Sequence, residues 1–475
     1  MTDPTTTTHA EVFRRTLNLI ERHLEREQRT PVAPFLEPAT LAQRFDPAIP
    51  LAGSSLDAVF DELDRVLDLT PRTTTRAFYN QLFAGRDAVA AAAEMLTALL
   101  NSSMYTYKAA GPHAIIERSL TAHMCEKLGL RTDDGPGEGV LCPGGSLANL
   151  AGMLMARDAI APAARDEGLP QRLTMYTSAL SHYSIPKNAN MMGLGRDHCR
   201  KVATDDRGRI DPAALDRAIR DDLASGFTPF MINATAGSTV LGAFDPLNDL
   251  ADIANTHNLW LHVDGCLGCS AILSNKHKHL LEGIHRADSV CWNAHKMMGV
   301  PLSCSAILTR ETGRLHTTFN EAATYLFQSD EDFYNMGTMS IQCGRRNDAL
   351  KLFAAWKHHG DDGYDQRITH LFNLASHAAD IVRDDPDMTL SKEPESVTVC
   401  FELTGKGSDD LCQKLREDQR VVVGFAIVEG RRVVRLACVN ADCTEADIDA
   451  FFNHIREVAP SLAPADNTAH TPAGA

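Results

Sequence analysis

Between about residues 86 and 358, short apolar runs alternate with stretches of helical period. The apolar runs predict strands at Gly139–Cys142, Leu173–Thr177, Phe230–Thr235, Leu259–Val263, Ser289–Trp292 and Cys304–Thr309. Helical spacing predicts helices at Leu147–Asp158, Pro212–Leu223, Pro246–Thr256 and His277–Arg286. Strands that are apolar throughout are covered on both faces, and helices between them give a mostly parallel or mixed sheet. The expected fold class is α/β.

The flanks read differently. Residues 1–85 show an amphipathic stretch at Glu11–Glu27, a proline-broken linker and a helix near Leu56–Leu69, without strand alternation. This N-terminal helical segment precedes the large α/β unit at 86–358. A small α+β unit at 359–462 follows, with a strand at Ser396–Leu403 and a helix at Asp409–Arg416. A hairpin pairs Val421–Val428 with Val433–Val439, and a helix follows at Glu445–Glu457. The tail 463–475, APADNTAHTPAGA, is polar and proline-rich and reads as disordered.

Composition narrows the function. The 475 residues carry a formal charge of −16, which argues against nucleic acid or an anionic membrane as partner, since both select basic surfaces. A small anionic substrate needs only one local basic pocket. The first residues lack the apolar core of a secretory signal, and no apolar run reaches the ~18 residues of a membrane span. Twelve cysteines, mostly inside apolar runs, suit free thiols in a reducing compartment, so a cytoplasmic location is expected.

The densest chemistry is LHVDG at 261–265 followed by DSVCWNAHKMMG at 288–299. Asp264 ends one predicted strand and Lys296 follows another, at the sheet edge where open α/β folds bind ligands. A lysine amine that forms a Schiff base and a carboxylate that keeps a pyridine nitrogen protonated are what pyridoxal phosphate (PLP) requires. Alone, Lys296 reads as a surface lysine and Asp264 as a loop carboxylate; together they point to that cofactor. Upstream, the Gly139–Cys142 strand runs into Pro143-Gly144-Gly145-Ser146 and then a helix, whose N-terminus and close backbone approach make a phosphate cradle. His182, after the Leu173–Thr177 strand, could stack on a flat ring, or could be an ordinary loop histidine. Thr235 stands at the same sheet edge, its plain alternative being a satisfied strand-end hydroxyl. Neither a Walker A sequence nor a dinucleotide fingerprint after a strand is present.

Ten segments follow one another in order: NQLFAG (80–85), SSMYTY (102–107), CPGGSLAN (142–149), SHYS (181–184), ATAGST (234–239), GAFDPL (242–247), HVD (262–264), HKMMGVPLSCSAIL (295–308), YLFQ (325–328) and QCGRRND (342–348). In these the chain resembles the PLP-dependent group II amino-acid decarboxylases, in the glutamate and cysteine-sulfinate decarboxylase branch. The resemblance implies a PLP-dependent transferase-like fold of the aspartate aminotransferase type and a homodimer with shared active sites, clasped by the N-terminal helices. It also implies α-decarboxylation of a small, acidic amino acid. Lys296 matches the Schiff-base lysine, Asp264 the pyridinium partner, His182 the ring-stacking residue and Tyr325 the mobile-loop tyrosine that reprotonates Cα. Gly144, Gly145, Ser146 and His295 match cofactor-holding positions, with Thr235 and Asn293 beside them; Gln81 and Arg435 match substrate-contacting ones. Bottom-up, Arg435 could equally be an outward-facing strand residue.

Some positions depart from the family. Where it reads HVDAAWGG, this chain has His262-Val263-Asp264-Gly265-Cys266-Leu267-Gly268-Cys269. Gly265 takes the place of an alanine packing on the cofactor's second face and Leu267 that of a tryptophan, which predicts a roomier or differently shaped pocket. The family's Asn-Pro-His-Lys has become Asn293-Ala294-His295-Lys296, and Lys108 reverses a common local charge. Cys266 and Cys269 read as packing thiols rather than a metal or redox pair, since a zinc site wants four ligands. Oxidative decarboxylation–deamination, carbon–carbon bond formation and a non-catalytic PLP-fold subunit are the rival readings.

Overall fold

The computed structural model describes residues 8–44, 47–170, 172–321, 327 and 332–465; Tyr325 and the tail from residue 466 lie outside the described residues. Helices α1 (His9–Arg29), α2 (Leu56–Leu69), α3 (Ala88–Leu100) and α4 (Pro112–Leu128) lead into the main sheet. Its first strand β1 (Glu138–Cys142) is followed by α5 (Gly145–Ile160), β2 (Leu173–Ser178) and β3 (Cys199–Val202). Then come α6 (Pro212–Ala224), β4 (Thr228–Thr235), α7 (Leu247–His257), β5 (Trp260–Asp264), β6 (Ser289–Asn293) and β7 (Ser305–Thr309). The last part holds α8 (Ala349–Asp384), β8 (Met388–Leu390), β9 (Thr398–Leu403), α9 (Ser408–Glu417), β10 (Gly424–Val428), β11 (Arg431–Ala437) and α10 (Glu445–Val458).

The seven strands lie in the order β1-β7-β6-β5-β4-β2-β3, with β7 antiparallel to both neighbours and the rest parallel. β2, β6 and β7 are buried at every residue, as continuous apolar runs predict for a doubly covered sheet. Because β1, β2, β4, β5 and β6 run the same way, their carboxyl ends gather along one edge. The smaller sheet, β8-β9-β11-β10, is antiparallel. Its β10–β11 hairpin turns through Glu429 and Gly430, both at positive φ, the twist a two-residue turn needs.

Four departures from the sequence expectation bear on the frame of the fold. β3 was not predicted, because Cys-Arg-Lys-Val carries two charges; it is an edge strand, and Arg200 pairs with Asp222 at 2.9 Å. The helix predicted at His277–Arg286 is instead two 3-10 turns, Lys278–Leu281 and Ile284–Arg286, broken by Gly283 at φ 95°. α8 begins before residue 359 and carries a kink at Gly360 (φ 64°). Residues 463–465, read as the start of the tail, lie against Gly405–Lys406: Ala465 N donates to Gly405 O at 3.0 Å.

One buried ion pair fixes the strand that carries the glycine turn. Arg345 donates to Glu117 Oε1 at 2.6 Å, and to the carbonyls of Leu141 and Met104 at 3.2 Å each. Glu117 Oε1 also accepts from Leu141 N at 2.8 Å, so the pair grips β1 by both polar groups of one residue. Both side chains are essentially inaccessible. Removing one partner of such a pair strands the other charge, so Arg345→Leu should lower unfolding stability by about 3–5 kcal/mol in chemical denaturation. A loss below ~1 kcal/mol would show that the pair does not hold β1.

Candidate active site

The turn after β1 is built for close approach. Gly144 adopts φ 145°, and no side chain caps α5, leaving its first N–H groups exposed toward the sheet edge. A methyl group on Gly145 would overlap Cys266 Sγ and come within 2.8 Å of Asn293 Nδ2. The Ser146 carbonyl accepts from Asn188 Nδ2 at 2.8 Å, tying the first turn of α5 to the short helix Ser184–Met191.

The strand ends supply the chemistry. Thr235 and Asp264 are register partners at the ends of β4 and β5, and Asp264 pairs with Cys291 on β6. Asp245 locks the end of β4, accepting from Thr235 N and Ile210 N at 2.7 Å each. Thr235 Oγ1 is buried and without a partner. Asp264 Oδ1 accepts from Cys266 N at 3.2 Å and Oδ2 from Asn149 Nδ2 at 2.9 Å. Asn293 ends β6, and Lys296 follows it, half-buried, with no carboxylate within ion-pairing distance among the described residues. His295 accepts from Cys304 N at 3.0 Å, and burial pushes its imidazole down to about 4, so it is a neutral brace.

His182 sits beside this group. Its Nδ1 accepts from Ser184 N at 3.2 Å and from Ser184 Oγ at 2.7 Å, which leaves the proton of the neutral ring on Nε2. Burial pushes the imidazole below its ordinary range, opposed by the charge of Asp264 and assisted by that of Lys296. The three groups thus share one electrostatic neighbourhood. Gly144, Gly145, Ser146, Thr235, Asn293 and His295 line the same edge, while Tyr325 lies outside the described residues.

The remaining expected residues fall elsewhere. Arg435 points inward: Nε donates to Thr239 O at 2.9 Å and Nη1 to Asn80 O at 3.1 Å. It therefore joins β11 to the ATAGST and NQLFAG segments, and burial pushes its guanidinium below its usual range. Gln81 is exposed and lines a cavity of about 550 Å³ with Phe35, Asn80, Phe83 and Arg416, a cavity that none of the Lys296 group enters. Asn149 and His262 went unrecognised in the sequence, although Asn149 lies one helical turn beyond Gly145 and His262 two residues before Asp264.

The roomier pocket expected at Gly265 is not formed. The space an alanine methyl would use is filled by Cys269, whose sulfur a Cβ on Gly265 would overlap. Cys269 is fully buried, and it stands where the family pattern has glycine. Leu267 is likewise buried, against Gly237. The side chain that faces the strand-end edge after Asp264 is Cys266, whose thiol touches Gly145 and lies in the fields of Asp264 and Lys296. Its sulfur neighbour is not Cys269 but Cys291, at 3.1 Å. Gly265 and Cys269 are therefore a matched small–large pair. Gly265→Ala alone should cost about 1–3 kcal/mol of stability by overpacking, with equal effects on amino acids of different length. Adding Cys269→Gly should recover most of that loss; strictly additive losses in denaturant titrations would refute the pairing.

Comparison with known proteins identifies the family. The pyridoxal-dependent decarboxylase conserved domain matches residues 38–404. Cysteine sulfinic acid decarboxylase of Rattus norvegicus is 37% identical over 456 residues, covering 91% of this chain and 92% of its own. Acidic amino acid decarboxylase GADL1 of Mus musculus is 39% identical over 376 residues, covering 78% and 68%. Among solved structures, mouse CSAD superposes with a TM-score of 0.90 at 33% identity, covering 94% of this chain and 98% of that one. With Lys296, Asp264 and the glycine turn on one sheet edge, and most of its length matched, the chain belongs to the pyridoxal-dependent decarboxylase family and is a PLP-dependent amino-acid decarboxylase.

Proposed function

We propose that this decarboxylase acts on a small L-amino acid with an acidic side chain, of the cysteine sulfinate, aspartate or glutamate type, and releases carbon dioxide and an amine. The carrying observation is the convergence of an unpaired lysine, a buried carboxylate and an uncapped helix start on one edge, in a chain whose relatives are named for acidic substrates. The residues fit the cofactor: the orphan Thr235 hydroxyl, the bare N–H groups of Gly145 and Ser146 and the Asp264 carboxylate are groups that want a polar partner. Bound PLP supplies an aldehyde that condenses with amines and a pyridinium ring that draws off the electron pair left at Cα.

Each residue then has a task. Lys296 would hold the cofactor's aldehyde through Nζ. Asp264 holds the proton on the ring nitrogen. Gly144, Gly145 and Ser146 receive the phosphate, with Thr235, Asn293 and His295 shaping the cleft around it. His182 covers one face of the ring and limits its tilt. Arg435, whose Nη2 has no protein acceptor among the described residues, offers a guanidinium edge to the acid group of the substrate. Gln81 belongs to the same junction through its neighbour Asn80, and Tyr325 returns the proton to Cα.

We further propose a cytoplasmic homodimer. All twelve cysteines are free, and no helix among the described residues is long and apolar enough to cross a membrane. Phe13 and Leu17 on α1, Val59 and Leu63 on α2, and Leu96 and Leu99 on α3 leave apolar surface that a second copy would cover. The functional division follows the segments 1–85, 86–358, 359–462 and the tail.

The substrate assignment is tested by supplying holoenzyme with L-cysteine sulfinate, L-aspartate, L-glutamate and L-tryptophan while measuring carbon dioxide, amine and oxygen uptake. Turnover of an acidic amino acid without oxygen consumption is expected; preference for tryptophan, or stoichiometric oxygen uptake, would overturn it. Tyr325→Phe should separate the two halves of the reaction, because proton delivery needs a donor within hydrogen-bond reach. It should still release carbon dioxide while the amine yield falls behind. Matched yields at the wild-type rate would remove Tyr325 from the mechanism.

A further inference from the structure

Behind Asp264 runs a buried line of polar groups that the sheet chemistry alone does not need. Trp260 Nε1 donates to Ser289 Oγ at 2.8 Å, and Ser289 Oγ lies 2.8 Å from His262 Nδ1. His262 Nε2 lies 3.1 Å from Asn149 Oδ1, and Asn149 Nδ2 donates to Asp264 Oδ2 at 2.9 Å. Every member is buried, with Ser289 and His262 wholly inaccessible.

The direction of this line is fixed by its last member. A carboxylate only accepts, so Asp264 takes the Asn149 N–H₂ and turns Asn149 Oδ1 toward His262 Nε2, which must therefore carry a proton. Burial pushes the His262 imidazole down to about 4, so this is the ring's single proton at neutral pH, and the bare Nδ1 accepts from Ser289 Oγ, which itself accepts from the Trp260 N–H. Each link thus has one donor and one acceptor. The fit is steric as well: a methyl on Gly152 of α5 would come within 2.5 Å of His262 Cε1 and 2.6 Å of Nδ1.

We propose that Trp260, Ser289, His262 and Asn149 form a one-way donor chain ending on Asp264, in which Asn149 and His262 are positioning residues that aim the carboxylate and keep it an acceptor for the cofactor's ring nitrogen. This rests on the assignment of Asp264 to that nitrogen. The chain meets Asp264 with a neutral amide donor rather than a cation, which leaves the neighbourhood of Lys296 free of a competing positive charge. It also ties the aim of Asp264 to α5, the helix whose first turn forms the phosphate cradle.

The test reads the ring nitrogen directly, by ¹⁵N NMR at neutral pH of holoenzyme reconstituted with PLP labelled at that atom. Wild type should show a protonated nitrogen and Asp264→Asn an unprotonated one. Asn149→Leu should move the resonance toward the unprotonated position, weaken PLP binding by apoprotein about tenfold, and lower kcat more than it raises KM. Ser289→Ala should move it in the same direction, whereas Ser289→Thr, which keeps the hydroxyl, should retain the wild-type shift. A protonated nitrogen in Asp264→Asn defeats the assignment of Asp264 itself. An unprotonated one there, with wild-type shifts in Asn149→Leu and Ser289→Ala, defeats the chain alone. If Asn149→Leu does not fold, the Ser289 pair decides, and equal shifts in Ala and Thr overturn the proposal.

Discussion

The close approach of α5 to the main sheet is the constraint on which the site depends. Side chains at Gly145 and Gly152 would strike Asn293 and His262, so the helix can lie this near only because both positions are bare. That proximity delivers two things at once. The helix start, with its unsatisfied N–H groups, reaches the strand ends, and Asn149 one turn later reaches Asp264. The uncapped helix start and the amide that holds Asp264 are thereby set on one rigid element. The ion pair of Arg345 and Glu117, gripping Leu141, anchors the strand that feeds this helix from its other side.

Most of this frame was legible in the sequence for physical reasons. Strands buried on both faces need uninterrupted apolar runs, which is why β1, β2 and β4 to β7 stood out, and β3, with Arg200 and Lys201 at the sheet margin, did not. The carboxyl ends of parallel strands must share an edge, so Asp264, Thr235 and His182 could be brought together from order alone. Contacts that depend on packing between elements were not legible. Nothing local to His262 announces that its ring meets Asn149 on a helix far away in the chain. Gly283 divides a segment whose spacing is otherwise helical, because periodicity carries no information about φ.

Arg435 shows the same limit from the opposite direction. Its strand position left both faces open, and only the main-chain carbonyls of Thr239 and Asn80 fix it inward. Arg435 and its two acceptors come from three regions of the chain that meet at one point, where Gly424 also has no room for a side chain beside Asn80. A guanidinium held by carbonyls keeps its full charge, unlike one neutralised by a carboxylate. The cost of burying it is met by hydrogen bonds.

The Gly265 and Cys269 pair constrains how such a sequence can change over time. One arrangement places the bulk on the residue after the aspartate, the other on a residue four positions later, and both fill the same volume. Substituting either position first gives different intermediates. Gaining the sulfur before losing the methyl produces an overlap, whereas losing the methyl first produces only a small void. Voids of one methyl group are tolerated far better than collisions in a close-packed interior. The route between the two arrangements therefore has a permitted order, through a double-glycine ancestor, and a residue-by-residue transplant between relatives would run against it.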